Sequence, residues 1–273
     1  MVPPWVPDPS PLPPPDGAKP PQPNPDGQGV ETPVQASPGT QLTPPVPIAP
    51  AARFGGARRN LGSFARGGSS DDMRRGLGHY VRSGYGGART ATRRFGGTAS
   101  TAGALYGALS ALAQGQRAGP GNQLDPAILR GRSAREVIDA VVETLRPIDG
   151  TQDAEASRAA MKDSLSELLT AFPDADFLNL SEEQCTLAVE RYLAHDIYRR
   201  FFLDLGKTIQ DKAPSAVAAM ARLKEVKNYI KQTVAAAFRK LAAAGNPLTR
   251  SKVNNVVTTA LHETFQVFEG YAS

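Results

Sequence analysis

Arginine and aromatic side chains are interleaved over residues 53–97, and this segment's composition points most directly to binding chemistry. Residues 51–100 contain ten arginines against two acidic residues, which gives the stretch a net charge of +8. Guanidinium groups bind phosphate and carboxylate oxygens through paired hydrogen bonds, and aromatic rings between them can stack on bases. The segment therefore predicts a contact surface. Its candidate contact residues are Arg53, Arg58, Arg59, Arg66, Arg74, Arg75, Tyr80, Arg82, Tyr85, Arg89, Arg93 and Arg94.

Three interpretations of this surface stay open. The arginines can contact another protein, they can bind nucleic-acid phosphates while the rings stack on bases, or they can be a solvated face of a docked helix. If about six arginines engaged single-stranded phosphates, the logarithm of the binding constant would fall with log salt at a slope near −4. We favour protein contact and keep a nucleic-acid-binding module over residues 53–97 as the alternative.

Residues that could perform catalytic or metal chemistry are few and far apart. The chain has three histidines, His79, His195 and His262, and one cysteine, Cys185. The HExxH, CxxC, phosphate-binding loop and GxSxG patterns are absent from the sequence. His195 is followed by Asp196, but adjacent residues of a helix do not face each other. The sequence therefore favours a protein that is not an enzyme, with no metal and no cofactor.

The first fifty residues have a composition unsuited to folding alone. They hold 18 of the 24 prolines and few apolar residues, and their net charge is −3. Proline fixes φ and removes a backbone hydrogen-bond donor. A segment with few apolar side chains buries too little apolar surface to compensate for the conformational entropy lost on folding. Residues 1–50 are therefore predicted to form a disordered tail. Trp5 has no hydrophobic core to pack against in such a tail, which makes it a candidate partner contact.

Two observations argue against a secreted or membrane protein. The sequence opens Met1-Val2-Pro3-Pro4-Trp5, without the basic and apolar regions of a signal peptide. The longest uncharged stretch, Gly96–Gln116, is built mainly from small residues, whereas a membrane span needs about 20 strongly apolar ones. A single cysteine also suits a reducing compartment. We expect no membrane contact.

The basic segment, residues 51–97, is predicted to contain two short helices. Ser70 is a plausible N-cap of the first, with two acidic residues in its first turn. The second helix is predicted over Gly87–Phe95. Gly76 and Gly78 each cost about 1 kcal/mol relative to alanine, so these helices need docking to be stable. The apolar face of the first helix comprises Met73, Leu77, Tyr80 and Val81.

Residues 98–273 show helical periodicity throughout and no convincing alternating strand. Asp153 is a candidate cap, and Ser181 opens a capping-box pattern with Gln184. Pro214 and Ser215 open the longest helix, about 40–45 Å long. The apolar series of that helix comprises Val217, Met220, Leu223, Val226, Ile230, Val234, Phe238 and Leu241. The fold class is thus predicted as all-α, with a helical bundle as the C-terminal domain after the disordered Pro-rich tail and the Arg/Gly-rich, partly helical segment.

Several segments together resemble a known family. They are the Pro3-Pro4-Trp5 tripeptide and residues 53–66, 77–89, 145–151 and 154–161. The order of these segments is similar to that of QatB, the small non-enzymatic component of the bacterial Qat antiphage defence system. The Arg/Gly-Tyr segment is the most specific part of the resemblance, because any helical bundle gives a periodicity like that of the C-terminal half.

The resemblance implies a cytoplasmic protein that works beside an ATPase, a QueC-like enzyme and a TatD-like nuclease. It further implies an adaptor that is itself the protein substrate of the QueC-like partner, which attaches a deazaguanine group at or near the N-terminus. The family pattern is expected to open with a short Gly/Ser-rich stretch beginning Met-Gly, whereas this sequence begins Met1-Val2. No residue is therefore assigned as the modification site.

Overall fold

A computed structural model describes residues 52–119 and 121–272 of the chain, and these residues belong to one compact unit, Ile48–Ser273. Apart from a single bridge between Ala118 and Leu124, the described residues contain no β-structure, which confirms the all-α prediction. The predicted tail and Trp5 lie outside the described residues. The helices are α1 (Gly55–Ala65), α2 (Ser70–His79), α3 (Ala88–Arg94), α4 (Gly96–Ala113), α5 (Pro126–Leu129), α6 (Ala134–Leu145), α7 (Gln152–Ala171), α8 (Glu182–Phe201), α9 (Lys207–Lys212), α10 (Ala216–Ala243) and α11 (Val253–Glu269).

Two π-helical turns interrupt this series. The first π turn, Tyr80–Gly84, continues α2, and the second, Phe202–Gly206, joins α8 to α9. A π turn inserts one extra residue into the helical repeat and is frequent at functional sites.

The helix starts follow local capping chemistry. The Ser181 amide donates to the Gln184 side chain at 2.8 Å, and the Gln184 amide donates to the Ser181 hydroxyl at 3.2 Å, which confirms the predicted capping box. Ser215 caps α10 as predicted. The prediction of Asp153 as the cap of α7 is wrong, because the Thr151 hydroxyl accepts the Ala154 amide at 3.2 Å and Asp153 lies in the first turn.

The cap of α2 is also displaced by one residue. The N-cap is Ser69, not Ser70, and the Ser69 amide donates to the carboxylate of Asp72 at 3.1 Å. Asp71 and Asp72 still occupy the first turn, where the partial positive charge of the helix end favours a carboxylate.

The arginine-rich helices share a core with the rest of the described residues. Helix α1 packs against α2 and α9, and α3 packs against α11. At Gly78 of α2, a Cβ atom would lie 2.6 Å from the amide nitrogen of Ala272, so only glycine allows this close approach. Residues 52–97 therefore pack directly on the C-terminal part of the chain.

Helix α8 lies at the centre of the bundle, against α4, α7 and α10. Tyr192 and Leu193 are fully buried, and so is Asp196. Because neighbouring helices cover it on several sides, α8 buries two ionisable side chains, His195 and Asp196.

The N-terminal part of α10 departs from the predicted apolar face. Val217 and Met220 are 78% and 71% exposed, whereas Leu223 and Ile230 are buried. The buried face of the helix begins at Ala219, and Val217 lies two residues earlier, about 200° round the helix. Val217 and Met220 belong to the apolar series of the sequence but lie outside the core.

Candidate functional site

The arginines of the basic segment lie mainly at the surface. Arg53 and Arg74 are half-buried. Three of the ten form ion pairs with described residues: Arg53 with Asp204 at 3.8 Å, Arg74 with Asp71 at 3.0 Å and Arg75 with Asp72 at 3.4 Å. The exposed arginines are Arg58, Arg59, Arg66, Arg75, Arg82, Arg89, Arg93 and Arg94.

The aromatic side chains of the segment serve the core instead of an external ligand. Phe54, Phe64, Tyr80 and Phe95 are at most 5% exposed. These rings cannot stack on bases, so the interpretation that combined phosphate contact with base stacking is wrong for them. Tyr80, a predicted contact residue, is 1% exposed and packs edge-on to Phe201 with ring centroids 5.5 Å apart. In the sequence, arginines and glycines outnumber these aromatic residues, so the composition does not reveal that the rings are buried.

Tyr85 differs from the other rings because it is half-buried. Its ring meets those of Phe54 and Tyr80, at centroid distances of 6.1 and 5.1 Å. The guanidinium carbon of Arg94 lies 5.8 Å from the centre of the same ring, and that of Arg53 lies 6.0 Å away. Tyr85 therefore gathers two candidate arginines at the edge of the core.

Asp204 connects the two π turns. Its Oδ2 atom accepts hydrogen bonds from the hydroxyl groups of Tyr80 and Tyr85, at 3.1 and 3.0 Å, and its Oδ1 atom faces Arg53. Burial raises the pKa of Tyr85 to about 12, and the nearby Asp204 charge adds to the rise. Sequence reasoning missed Asp204, because 124 residues separate it from Tyr80 and no local pattern marks it. The cluster fixes Arg53, close to the start of the described residues, to the second π turn.

Two neighbouring residues of α8 enter separate polar networks. His195 Nε2 lies 2.9 Å from Glu167 Oε2, and burial lowers the pKa of His195. Asp196 accepts from the Thr98 hydroxyl at 2.5 Å and from Arg200 Nε at 3.2 Å. Burial raises the pKa of Asp196, against the opposing effect of Arg200. As predicted for adjacent helix residues, His195 and Asp196 do not form an acid–base pair.

Glu167 is expected to stabilise the fold in a pH-dependent way. Burial alone would raise its pKa, but hydrogen bonds from Lys231 and His195 outweigh burial and lower it. Because the folded pKa lies below the unfolded value near 4.5, this stability is present above pH 4.5 and is lost as the pH falls through the folded pKa. Glu167→Gln should lower the free energy of unfolding by about 1–3 kcal/mol at pH 7. Urea unfolding from pH 7 to pH 3.5 should show the difference from wild type narrowing below pH 4.5; a constant difference would contradict this assignment.

An open groove of about 550 Å³ lies between α7, α8, the second π turn and α10. Its apolar part includes Phe202 and Leu203, which are 38% and 50% exposed. Its polar rim includes Arg199, which pairs with Asp163 at 2.7 Å, and Lys227. An apolar centre with a polar rim is the anatomy of a protein–protein contact.

Within 52–119 and 121–272, no group of three or more His, Cys, Asp or Glu side chains is placed to hold a metal ion. No described helix combines the length and the apolar character needed to cross a membrane.

Comparison with protein families gives a match over most of the helices. Residues 86–268 match the family described as Qat anti-phage system associated protein QatB. The chain belongs to the QatB family. QatB membership implies a role in the Qat anti-phage system, as the resemblance predicted. No curated protein matched the chain. No solved structure matched it either.

The QatB match begins after the residues that carried most of the resemblance. Helices α1 and α2 and the first π turn precede residue 86, whereas α3 to α10 and nearly all of α11 lie inside the matched range. The family assignment therefore rests on the helical part that sequence analysis judged less specific. Since α1 packs on α9 and α2 packs on α11, the fold extends beyond the matched residues.

Proposed function

We propose that this QatB-family protein is a non-catalytic adaptor of the Qat anti-phage system, and that a QueC-like partner modifies it at or near its N-terminus. The observation that carries the proposal is the family match over residues 86–268. The proline-rich composition of residues 1–50 supports it, because an enzyme that modifies a chain terminus needs a segment that it can draw into its active site. The system's ATPase and TatD-like nuclease are the other proposed partners.

The groove beside the second π turn is the proposed docking site of the QueC-like enzyme. Leu203, half exposed in the groove, immediately precedes Asp204, which pairs with Arg53. A protein bound there would thus lie within a helical turn of the carboxylate that holds Arg53. The exposed apolar centre and mixed-charge rim of the groove fit a protein partner.

The modification is tested by intact-mass measurement. The full-length protein is expressed alone and together with its QueC-like partner. The proposal expects a mass increase only after co-expression, and peptide mapping should place the added group within residues 1–50. Identical masses in the two preparations would remove the modification from the proposal.

Leu203→Asp should reduce the modified fraction at least roughly tenfold in the co-expression experiment. A charge at the centre of an apolar contact remains unpaired and desolvated, which costs several kcal/mol of binding energy. Ile148→Asp is the matched control, because Ile148 is 70% exposed and lies outside the groove. The control should be modified like wild type. Full modification of Leu203→Asp would show that the enzyme docks elsewhere, while leaving the modification itself intact.

A further inference from the structure

Helix α1 carries a stripe of cations that the proposed adaptor role does not use. Arg58, Arg59, Gly62 and Arg66 are spaced i, i+1, i+4 and i+8, which places them within about 100° of one face. Arg58 and Arg66 are separated by about 12 Å along the axis. All three arginines are exposed, and none of them forms an ion pair with a described residue.

A fourth cation comes from a different helix. A Cβ atom at Gly62 would lie 3.7 Å from Arg66 Nη1 and 3.7 Å from Lys212 Cγ, so both side chains lie beside this glycine. Lys212, at the end of α9, is exposed and also forms no ion pair with a described residue. The arginine stripe is defined here as Arg58, Arg59, Arg66 and Lys212. Two elements distant in sequence thus build one positive surface.

We infer that the arginine stripe binds the sugar–phosphate backbone of double-stranded nucleic acid without reading its sequence. The large exposed apolar side chains lie on other elements, and neither α1 nor α9 presents one within the described residues. Interfaces with proteins usually have an apolar centre, whereas interfaces with nucleic acid are more polar and much more positively charged. Three of the four cations are arginines, whose fork of donors matches phosphate oxygens.

Duplex is preferred to single strands because the rings near the stripe are buried. Phe54 and Phe64 are 5% and 0% exposed, so no stacking platform accompanies the cations. The α3 arginines are a weaker candidate, because Arg94 lies over Tyr85 and Arg93 contacts the Thr90 hydroxyl at 3.5 Å.

The test is fluorescence anisotropy of the full chain with a labelled 20-bp duplex of arbitrary sequence. Four phosphate contacts predict a slope of about −3.6 in log K against log salt, or roughly a 100-fold loss of affinity between 50 and 200 mM salt. Arg58→Ala/Arg59→Ala/Arg66→Ala should reduce the slope to about −1 and weaken binding at 100 mM salt roughly 100-fold. The matched control is Arg130→Ala/Arg135→Ala/Arg250→Ala, which removes the same charge from exposed positions elsewhere.

Four outcomes would overturn the inference. They are no duplex binding at 50 mM salt, equal losses in the triple variant and its control, tighter binding of a single-stranded 20-mer, and tighter binding of polyglutamate. The last would identify an acidic polypeptide as the partner. Circular dichroism and thermal melting of the triple variant and its control show whether each is folded. Both are expected to fold, because alanine has a high helix propensity and preserves α1.

Discussion

Phe95→Ala is expected to lower the free energy of unfolding by about 3–5 kcal/mol. The Phe95 ring is fully buried, 5.0 Å from the ring of Phe265 and 5.6 Å from that of Tyr85. Its removal leaves a cavity where the basic segment meets α11. For a body of about 220 residues, the melting temperature should fall by roughly 10 °C. Urea unfolding followed by circular dichroism measures both the loss and the cooperativity.

Arg93→Ala is the matched control for this substitution. Arg93 lies two residues before Phe95 and is exposed, so its replacement should change the free energy of unfolding by less than about 0.5 kcal/mol. A loss below about 1 kcal/mol for Phe95→Ala would mean that the basic segment unfolds separately from the remaining helices.

Asp196→Ala is expected to cost about 3–5 kcal/mol, for an electrostatic reason. Asp196 is fully buried and pairs with Arg200, whose side chain is 13% exposed. Without the carboxylate, the guanidinium keeps one ion pair among the described residues, with Asp153 at 3.0 Å, and the Asp153 side chain is 64% exposed. The Thr98 hydroxyl also loses its acceptor. An uncompensated buried charge makes the loss large.

A double-mutant cycle separates this charge effect from simple loss of packing. Asp196→Ala/Arg200→Met removes both charges, so it should destabilise the protein by at least 1 kcal/mol less than the two single changes added together. Strict additivity would show that the pair does not interact. The Arg200 guanidinium also lies 4.9 Å from the centre of the Phe95 ring. Phe95→Ala and Asp196→Ala should therefore be non-additive with each other.

The helices could be predicted wherever their signals are local. The capping box at Ser181, the Pro214–Ser215 opening of α10 and the short helix near Gly87–Phe95 depend on residues a few positions apart. The errors at Ser70 and Asp153 have a shared cause, since several residues near each helix start can accept a backbone hydrogen bond. Only the three-dimensional arrangement decides which one does.

The role of the basic segment could not be predicted, because it depends on distant partners. Whether Tyr80 and Phe95 face a ligand or a core is decided by Phe201, Asp204 and Phe265, which lie more than a hundred residues away. The exposure of Val217 and Met220 could not be predicted either, because both residues fit the helical spacing of the apolar series. Of the candidate contacts that the structure describes, eight arginines are exposed, whereas Arg53, Arg74 and Tyr85 are half-buried and Tyr80 lies in the core.

The bond between α3 and α11 has a consequence for biosynthesis. The Ala88 amide donates to the Glu269 carboxylate at 2.9 Å across a separation of 181 residues. Ribosomes add roughly 5–20 residues per second, so α3 emerges about 10–35 s before its partner. Throughout that interval the Phe95 ring lacks Phe265 of α11 as its packing partner, so an apolar surface that a holdase chaperone can bind stays exposed until α11 has been synthesised.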